Sequence, residues 1–422
     1  MYATHLKCRS CTHSIPLDLN YSCPQCGGIL EVIYDYVALD RSKVLTTFTQ
    51  SPPNSLWRFA PLLPVKDPVN MISLGEGNTP LLLAKRLGQE LGVPALYLKN
   101  EGNNPTASFK DRPTSVGISV AKEFGATQVI TASSGNGGAA VAAYAARAGL
   151  GCVVVVPEGT PLAKVAQTVS CGARVIYTRG SYSSSYKLAR DSATAYGWVN
   201  LTTTFLNPFT VEGDKTVAFE LWEQLGRRVP DWVVIPIGAG PLLVGTLKGF
   251  EELRILGLTD RLPAMIGVQS EAVHPVADAF ATGEEVVREW QGSTKTVSSG
   301  IADPLIGYPQ DGTLTLMAIK KTKGQCLIAP DKAAIALGRA LAEAEGIFVE
   351  PTSSTGIYAV GELRAAGIIR GSDTAVVVLT GHGLKTPDAY TGSSNGPPVV
   401  DSPEALRSLI ESDARLSQSS NR

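Results

Sequence analysis

From residue 95 onward the chain repeats one pattern. A short apolar run is followed by a turn of Gly, Ser, Asn or Pro, and then by a segment with helical spacing. The runs Ala95-Leu96-Tyr97-Leu98, Gln128-Val129-Ile130-Thr131, 151–156, 173–177, 232–237, 264–268 and 375–379 read as strands. Their apolar positions are mostly continuous, as strands buried on both faces require. Trp198-Val199-Asn200 reads as a short extended piece. Helical patterns occupy 139–148, 164–169, 213–225, a segment opening at Pro241, and about 332–345 and 354–366. Repeated β-α alternation predicts an α/β fold with a doubly wound parallel sheet and helices on both faces.

The ends do not follow this pattern. Residues 1–35 form a separate small module. Residues 36–70 hold Pro52-Pro53, Pro61, Pro64 and Pro68, which predicts a linker with turns against the main body. The tail 391–422 is rich in Ser, Pro and Asn; we expect a short helix over 402–416 and a disordered end.

Composition narrows the function classes. With 422 residues, 44% of them hydrophobic and 18% charged, the chain can bury a large core. A net charge of −1 without blocks of like charge gives no electrostatic support for a nucleic-acid or anionic-membrane partner. The longest apolar run, 152–156, is too short to span a bilayer, and residues 1–10 lack the apolar core of a secretion signal. Seven cysteines, four of them in C-x-x-C pairs, suit a reducing compartment, and the chain reads as cytosolic.

Those pairs are Cys8-x-x-Cys11 and Cys23-x-x-Cys26-Gly27-Gly28. The spacing can set four thiolates tetrahedrally around one structural Zn²⁺, and the glycines suit a tight turn under the metal. A ribbon that keeps its thiols without metal is the alternative; a redox role fits less well, because four thiolates leave no open position. Lys7 and Arg9 are offset by Asp18, Glu31 and Asp35, so the module is not a basic nucleic-acid reader.

Chemistry concentrates around Asn104-Pro105-Thr106-Ala107-Ser108-Phe109-Lys110-Asp111-Arg112. A lysine between an aromatic ring and an acid, where a turn becomes a helix, can be held desolvated. Desolvation lowers an amine's pKa and makes it usable as a nucleophile or Schiff-base partner. Three strand ends, where ligands collect in such sheets, are also marked. Gly238-Ala239-Gly240-Pro241-Leu242-Leu243 joins small residues to a helix N-terminus and can cradle a phosphate through backbone N–H groups. The 133–138 loop, with Ser133, Ser134, Gly135, Asn136 and Gly137, is a second glycine-rich turn, and Thr380-Gly381-His382-Gly383 is a third. Each alone is as consistent with a plain turn. His382 reads as a loop residue rather than a general base, and Cys152, Cys171 and Cys326 as buried small residues. No G-x-G-x-x-G follows the first strand, which disfavours a dinucleotide-binding protein.

Taken together, these motifs resemble the threonine synthase family, within the fold-type II pyridoxal-phosphate (PLP) enzymes, over roughly residues 1–390. The strongest matches are Gly75-Glu76-Gly77-Asn78-Thr79-Pro80, the Asn104–Arg112 stretch, Ser134-Gly135-Asn136, Glu212-Gly213 with Lys215-Thr216, and Thr380-Gly381-His382-Gly383-Leu384-Lys385. The resemblance implies two doubly wound domains, the larger from 71–111 plus 220–390 and the smaller from 112–219, after a zinc ribbon. It implies that Lys110 bonds PLP and moves the α and β protons, and that Asn136 meets the cofactor's 3′ oxygen. Gly238, Ala239, Gly240, Leu242 and Leu243 would hold the cofactor phosphate, and Thr380 would face the pyridine nitrogen. Thr79, Ser133, Ser134, Gly135 and Gly137 would bind an amino-acid substrate. Such folds commonly form homodimers. The implied reaction converts O-phosphohomoserine and water to threonine and phosphate.

Some positions depart from the family pattern. Thr210 stands where the family carries an Arg for the substrate phosphate, and Thr204 and Phe205 where it carries Asn and Ser. The 238–243 loop and Ser299-Gly300-Ile301-Ala302 look more like those of ammonia-lyases and dehydratases. Lys164, Arg112 and Lys215 are the candidate replacements for the missing Arg. An ammonia-lyase acting on threonine, serine or diaminopropionate, or a β-replacement enzyme of the cysteate synthase kind, is therefore the alternative. A non-enzymatic zinc-ribbon interaction protein is a third reading, set against intact Lys110, Asn136 and Thr380.

Overall fold

Strand order decides which loops of this chain meet. The computed structural model describes residues 2–39, 41–50, 55–180, 182–391 and 398–419. Six strands form one sheet in the order Gln325–Ala329, Ala264–Ser270, Trp232–Pro236, Ala375–Leu379, Leu96–Asn100 and Leu81–Leu83. Four form a second, in the order Arg174–Thr178, Gly151–Pro157, Gln128–Ala132 and Val199–Asn200. Pairing is parallel throughout both, with one exception that corrects the expectation of wholly parallel sheets: Leu81–Leu83 runs antiparallel to Leu96–Asn100. It is a short edge strand with two exposed residues, where reversing direction sacrifices little burial.

Alternate residues of the central strands enter different cores. Val233, Ile235, Val376 and Val378 join one apolar cluster, while Val234, Val377 and Leu379 join another on the opposite face. Both faces are thus covered, which is why these strands read as continuous apolar runs. The strands ending at Asn100, Pro236 and Leu379 lie side by side or one apart, so the loops after them share one edge of the sheet.

The N-terminal module is a three-stranded antiparallel sheet ordered Ser14–Pro16, Ala3–Cys8, Leu30–Tyr34. The stretch expected as a linker carries a helix, Arg41–Gln50, and the 3₁₀ turns Leu56–Leu62 and Pro68–Asn70. Leu56, Phe59 and Leu62 in it are wholly buried, so it packs as part of the core; Pro52-Pro53 lies outside the described residues. The helix expected over 213–225 is two, Thr210–Asp214 and Thr216–Gln224, and the helices Tyr182–Tyr196 and Pro309–Lys321 had no clear signal. Residues 388–422 are a separate unit containing the helix Pro403–Ser419. Among the described residues, no helix is long and apolar enough to cross a membrane.

Candidate active site

Two segments about 270 positions apart fix the Lys110 backbone. The Phe109 N–H donates to the Thr380 carbonyl and the His382 N–H to the Ala107 carbonyl, each at 3.0 Å, with Ser108 and Gly381 bridged between them. Ala107 adopts φ +66° to make the turn. The Thr106 N–H and hydroxyl both donate to Asp111 Oδ2 at 3.0 Å, closing it. Lys110 therefore sits at the start of the helix Asp111–Glu123 with its backbone held on both sides. Its Nζ donates to Thr203 Oγ1 at 2.7 Å and lies 4.6 Å from the Phe109 ring centre.

The electrostatic environment keeps this amine reactive. Burial pushes the Lys110 ammonium down to about 8, opposed by the carboxyls of Asp214, Asp303 and Glu350. Burial in turn pushes Asp214 up to about 8 and Glu350 up to about 7, and raises Asp303. Asp214 Oδ1 is buried and has no hydrogen-bond partner among the described residues. A desolvated amine among acids that hold protons near neutral pH can exist uncharged where an exposed lysine cannot.

The 133–138 loop borders the same space. It joins the strand Gln128–Ala132 to the helix Asn136–Ala148. A methyl on Gly138 would collide with the Ser133 carbonyl, and one on Gly137 would crowd Ser133 Oγ at 3.0 Å and Thr203 Oγ1 at 3.4 Å. Around Gly135 there is open space. Asn136 Nδ2 donates to Glu350 Oε1 at 2.8 Å, and a side chain on Gly381 would strike that same oxygen. Thr380 Oγ1 lies 3.2 Å from Ser353 Oγ, which accepts the Gly381 N–H at 3.0 Å.

The 238–240 loop lies between the strand Trp232–Pro236 and the helix Pro241–Ile255. Gly240 has φ +96°, a side chain there would collide with Thr315, and no side chain caps the helix among the described residues. The Thr315 hydroxyl donates to the Ala239 carbonyl at 2.6 Å. Leu242 and Leu243 are buried in the core, so only their backbone can serve a ligand. Asp303 faces this loop, fixed by the Tyr308 hydroxyl at 2.7 Å and lying within 3.0 Å of where a Gly238 Cβ would sit. An uncapped helix start behind a left-handed glycine fits the phosphate of PLP, and the desolvated Lys110 amine fits its aldehyde.

The Thr79 hydroxyl donates to Glu101 at 2.6 Å within a buried cluster of Glu101, Arg112, Glu220 and Lys99. Two of the three proposed replacements for the missing Arg are also engaged. Arg112 bonds Glu101 and Glu220, Lys215 bonds Glu212 and Glu252, and all these side chains are fully or almost fully buried. Lys164 is exposed. The Thr210 hydroxyl donates to the Asn207 carbonyl, and Phe205 is buried. Thr203, Asp214, Asp303, Glu350 and Ser353 were not singled out from the sequence. Only Asp214, beside the Glu212-Gly213 motif, had a signal there.

At the other end of the chain, the Sγ atoms of Cys8, Cys11, Cys23 and Cys26 all lie within 4.8 Å of one another. Burial raises the Cys8 thiol, but N–H groups of Cys11 and Ser10 and the neighbouring thiols outweigh it and bring it to about 7. Four converging thiols of this kind are a donor set that Zn²⁺ fits.

Residues 72–381 match the family described as pyridoxal-phosphate dependent enzyme. The chain is 38% identical over 397 residues to the threonine synthase of Methanocaldococcus jannaschii, covering 94% of this chain and 96% of that one. It is 38% identical over 417 residues to the threonine synthase of Methanosarcina acetivorans, covering 97% and 100%. Among solved structures, maize serine racemase has a TM-score of 0.62 at 20% identity, covering 81% of this chain and 94% of that one, a likeness of fold alone.

Proposed function

This chain belongs to the threonine synthases among the pyridoxal-phosphate-dependent enzymes, and from that membership we propose that it converts O-phosphohomoserine and water to threonine and phosphate. The observation that carries the site assignment is the Lys110 amine, pinned through its backbone to the Thr380 loop and lowered to about 8. The reaction breaks the Cγ–O bond, releases phosphate, and adds water as a hydroxyl on Cβ while Cγ becomes a methyl.

PLP would be held by Lys110 at its aldehyde, by Asn136 at its ring oxygen, by the backbone of Gly238, Ala239, Gly240, Leu242 and Leu243 at its phosphate, and by Thr380 at its ring nitrogen. When bound, it supplies an electron sink for charge developing at Cα and Cβ. Thr380 would offer that nitrogen a hydroxyl rather than a carboxylate and so would not hold it charged, which suits elimination and replacement. The Lys110 amine takes the proton from Cα and moves the proton at Cβ, and an amine near 8 can both accept and return protons at neutral pH. Thr203 keeps that amine in place. Ser133, Ser134, Gly135 and Gly137 receive the substrate carboxylate, with open space beside Gly135 to admit it. We further read the protein as a cytosolic homodimer whose four N-terminal cysteines hold one structural Zn²⁺, the metal being supported by the convergence of their four Sγ atoms.

Phosphate, threonine and ammonia measured together on O-phosphohomoserine, threonine and serine test the reading. Phosphate and threonine should appear in equal amounts, and Lys110→Ala should abolish both along with the cofactor's visible absorbance. Ammonia from threonine or serine, with no phosphate from O-phosphohomoserine, would replace it with the ammonia-lyase reading, which the inward-turned Thr210 and buried Phe205 favour.

A further inference from the structure

The substrate of the proposed reaction carries a phosphate dianion, yet the position expected to supply its Arg holds Thr210, whose hydroxyl is turned onto the Asn207 carbonyl. Arg112 and Lys215 are locked to buried carboxylates. A cation that binds substrate must be free of such partners and must border the space around Asn136 and Lys110. Resting on the reaction proposed above, we propose that Lys385 and Lys164 together bind the leaving phosphate of the substrate.

Lys385 ends the turn Gly383–Lys385, directly after the Thr380-Gly381-His382 loop. That turn is fixed against Glu350 and its neighbours. The Gly383 N–H donates to the Phe348 carbonyl and the Glu350 N–H to the Gly381 carbonyl, both at 3.1 Å, and Val349 bridges His382. The Lys385 ammonium donates to Gln167 Oε1 at 2.6 Å, a neutral amide, and no carboxylate forms an ion pair with it among the described residues. Gln167 lies on the helix Leu162–Ser170, which belongs to the four-stranded half of the chain. Lys164 is three residues earlier on that helix and so shares the face that meets Lys385. It too has no ion-pair partner among the described residues.

The fields of both ammoniums reach a carboxyl that borders the active site. The Glu350 carboxyl, bonded to Asn136, is raised by burial against the fields of Lys385, Lys164 and Lys110. Three ammoniums therefore act on one carboxyl: the amine expected to bond the cofactor, and two that form no ion pair among the described residues, Lys385 being lowered by burial against the fields of Glu350 and Asp111. Gln167 holds Lys385 without neutralising it, and a phosphate can take the place of that amide. Because the two lysines come from different halves of the chain, a bound phosphate would bridge the Leu162–Ser170 helix and the Gly383–Lys385 turn.

The test is steady-state kinetics on the PLP-loaded full chain with O-phosphohomoserine, together with inhibition by inorganic phosphate, for Lys385→Met, Lys164→Met, the double variant and Lys385→Arg. Each Met variant should raise KM by about tenfold, and the double by about a hundredfold, with kcat within about threefold of the parent. The inhibition constant of inorganic phosphate should rise in parallel, while Lys385→Arg stays within about threefold. An unchanged KM and inhibition constant in the double variant, in an enzyme whose parent releases phosphate, would overturn the proposal and leave the reaction standing. A fall in kcat alone would overturn it as well. No phosphate release by the parent overturns the reaction and this proposal together. If Lys385→Met fails to fold, the exposed Lys164→Met decides: its KM must rise by about tenfold.

Discussion

The Tyr34 hydroxyl donates to Glu212 Oε2 at 2.8 Å, joining the last strand of the N-terminal module to the body of the chain across 178 residues. Glu212 also accepts from Lys215 and Lys248, each at 2.6 Å, and Lys248 donates to the Val32 carbonyl at 2.7 Å. Two residues beyond Glu212 is Asp214, one of the carboxyls that oppose the burial of Lys110. The module is thus tied to a segment that reaches the active-site amine.

This tie should be unequal in its parts. Tyr34→Phe removes one bond from an oxygen that keeps Lys215, and should cost about 1–2 kcal/mol. Lys248→Met leaves Glu212 Oε1 and the Val32 carbonyl unpaired in the core, and should cost about 3–5 kcal/mol. Urea midpoints of the two variants against the parent measure both, and Lys248→Met should be the lower.

Metal analysis of the purified chain should find one zinc per chain, and Cys26→Ser should lose most of it. Because the strand Leu30–Tyr34 follows directly on the second cysteine pair and carries Tyr34, chelation should also lower the thermal midpoint of the whole chain. A full complement of zinc in Cys26→Ser would contradict the four-thiolate assignment.

Thr203→Ala removes the hydroxyl that accepts from the Lys110 amine at 2.7 Å. With the cofactor still bound, kcat for phosphate release should fall about tenfold, and Thr203→Ser should restore it. Equal losses in both variants would point to packing instead of the hydroxyl.

Thr203 also illustrates what the sequence could and could not tell. Lys110, Asn136, Gly240 and Thr380 were legible because each lies in a turn of distinctive residues after an apolar strand. Thr203, Ser353, Asp303 and Glu350 are single polar residues without spacing or composition to mark them. They reach Lys110 and its neighbours only because two sheets converge. The same limit governs the fold. Val233 and Val376 announce a buried strand, whereas the prolines of 36–70 suggested a linker lying against the body and did not mark Leu56, Phe59 and Leu62 as core. Tertiary packing there overrode the local signal.

The last prediction concerns pH, and its sign is opposite to ordinary acid denaturation. Burial raises Asp111, Asp311 and Glu350 to about 7 and Asp214 to about 8. An unfolded carboxyl releases its proton near pH 4, so between about pH 4 and 7 the folded chain holds more protons than the unfolded one. Stability of the cofactor-free chain should therefore fall as pH rises through that window. Asp311 isolates one contribution, because its Oδ2 accepts the Phe205 N–H at 3.0 Å and an Asn oxygen can do the same without titrating. Asp311→Asn should reduce the loss between pH 5 and 8 by on the order of 2–4 kcal/mol, seen as a smaller drop in the urea midpoint. An unchanged slope would mean that Asp311 is already ionised in the folded chain at pH 5, and that burial there does not raise its pKa.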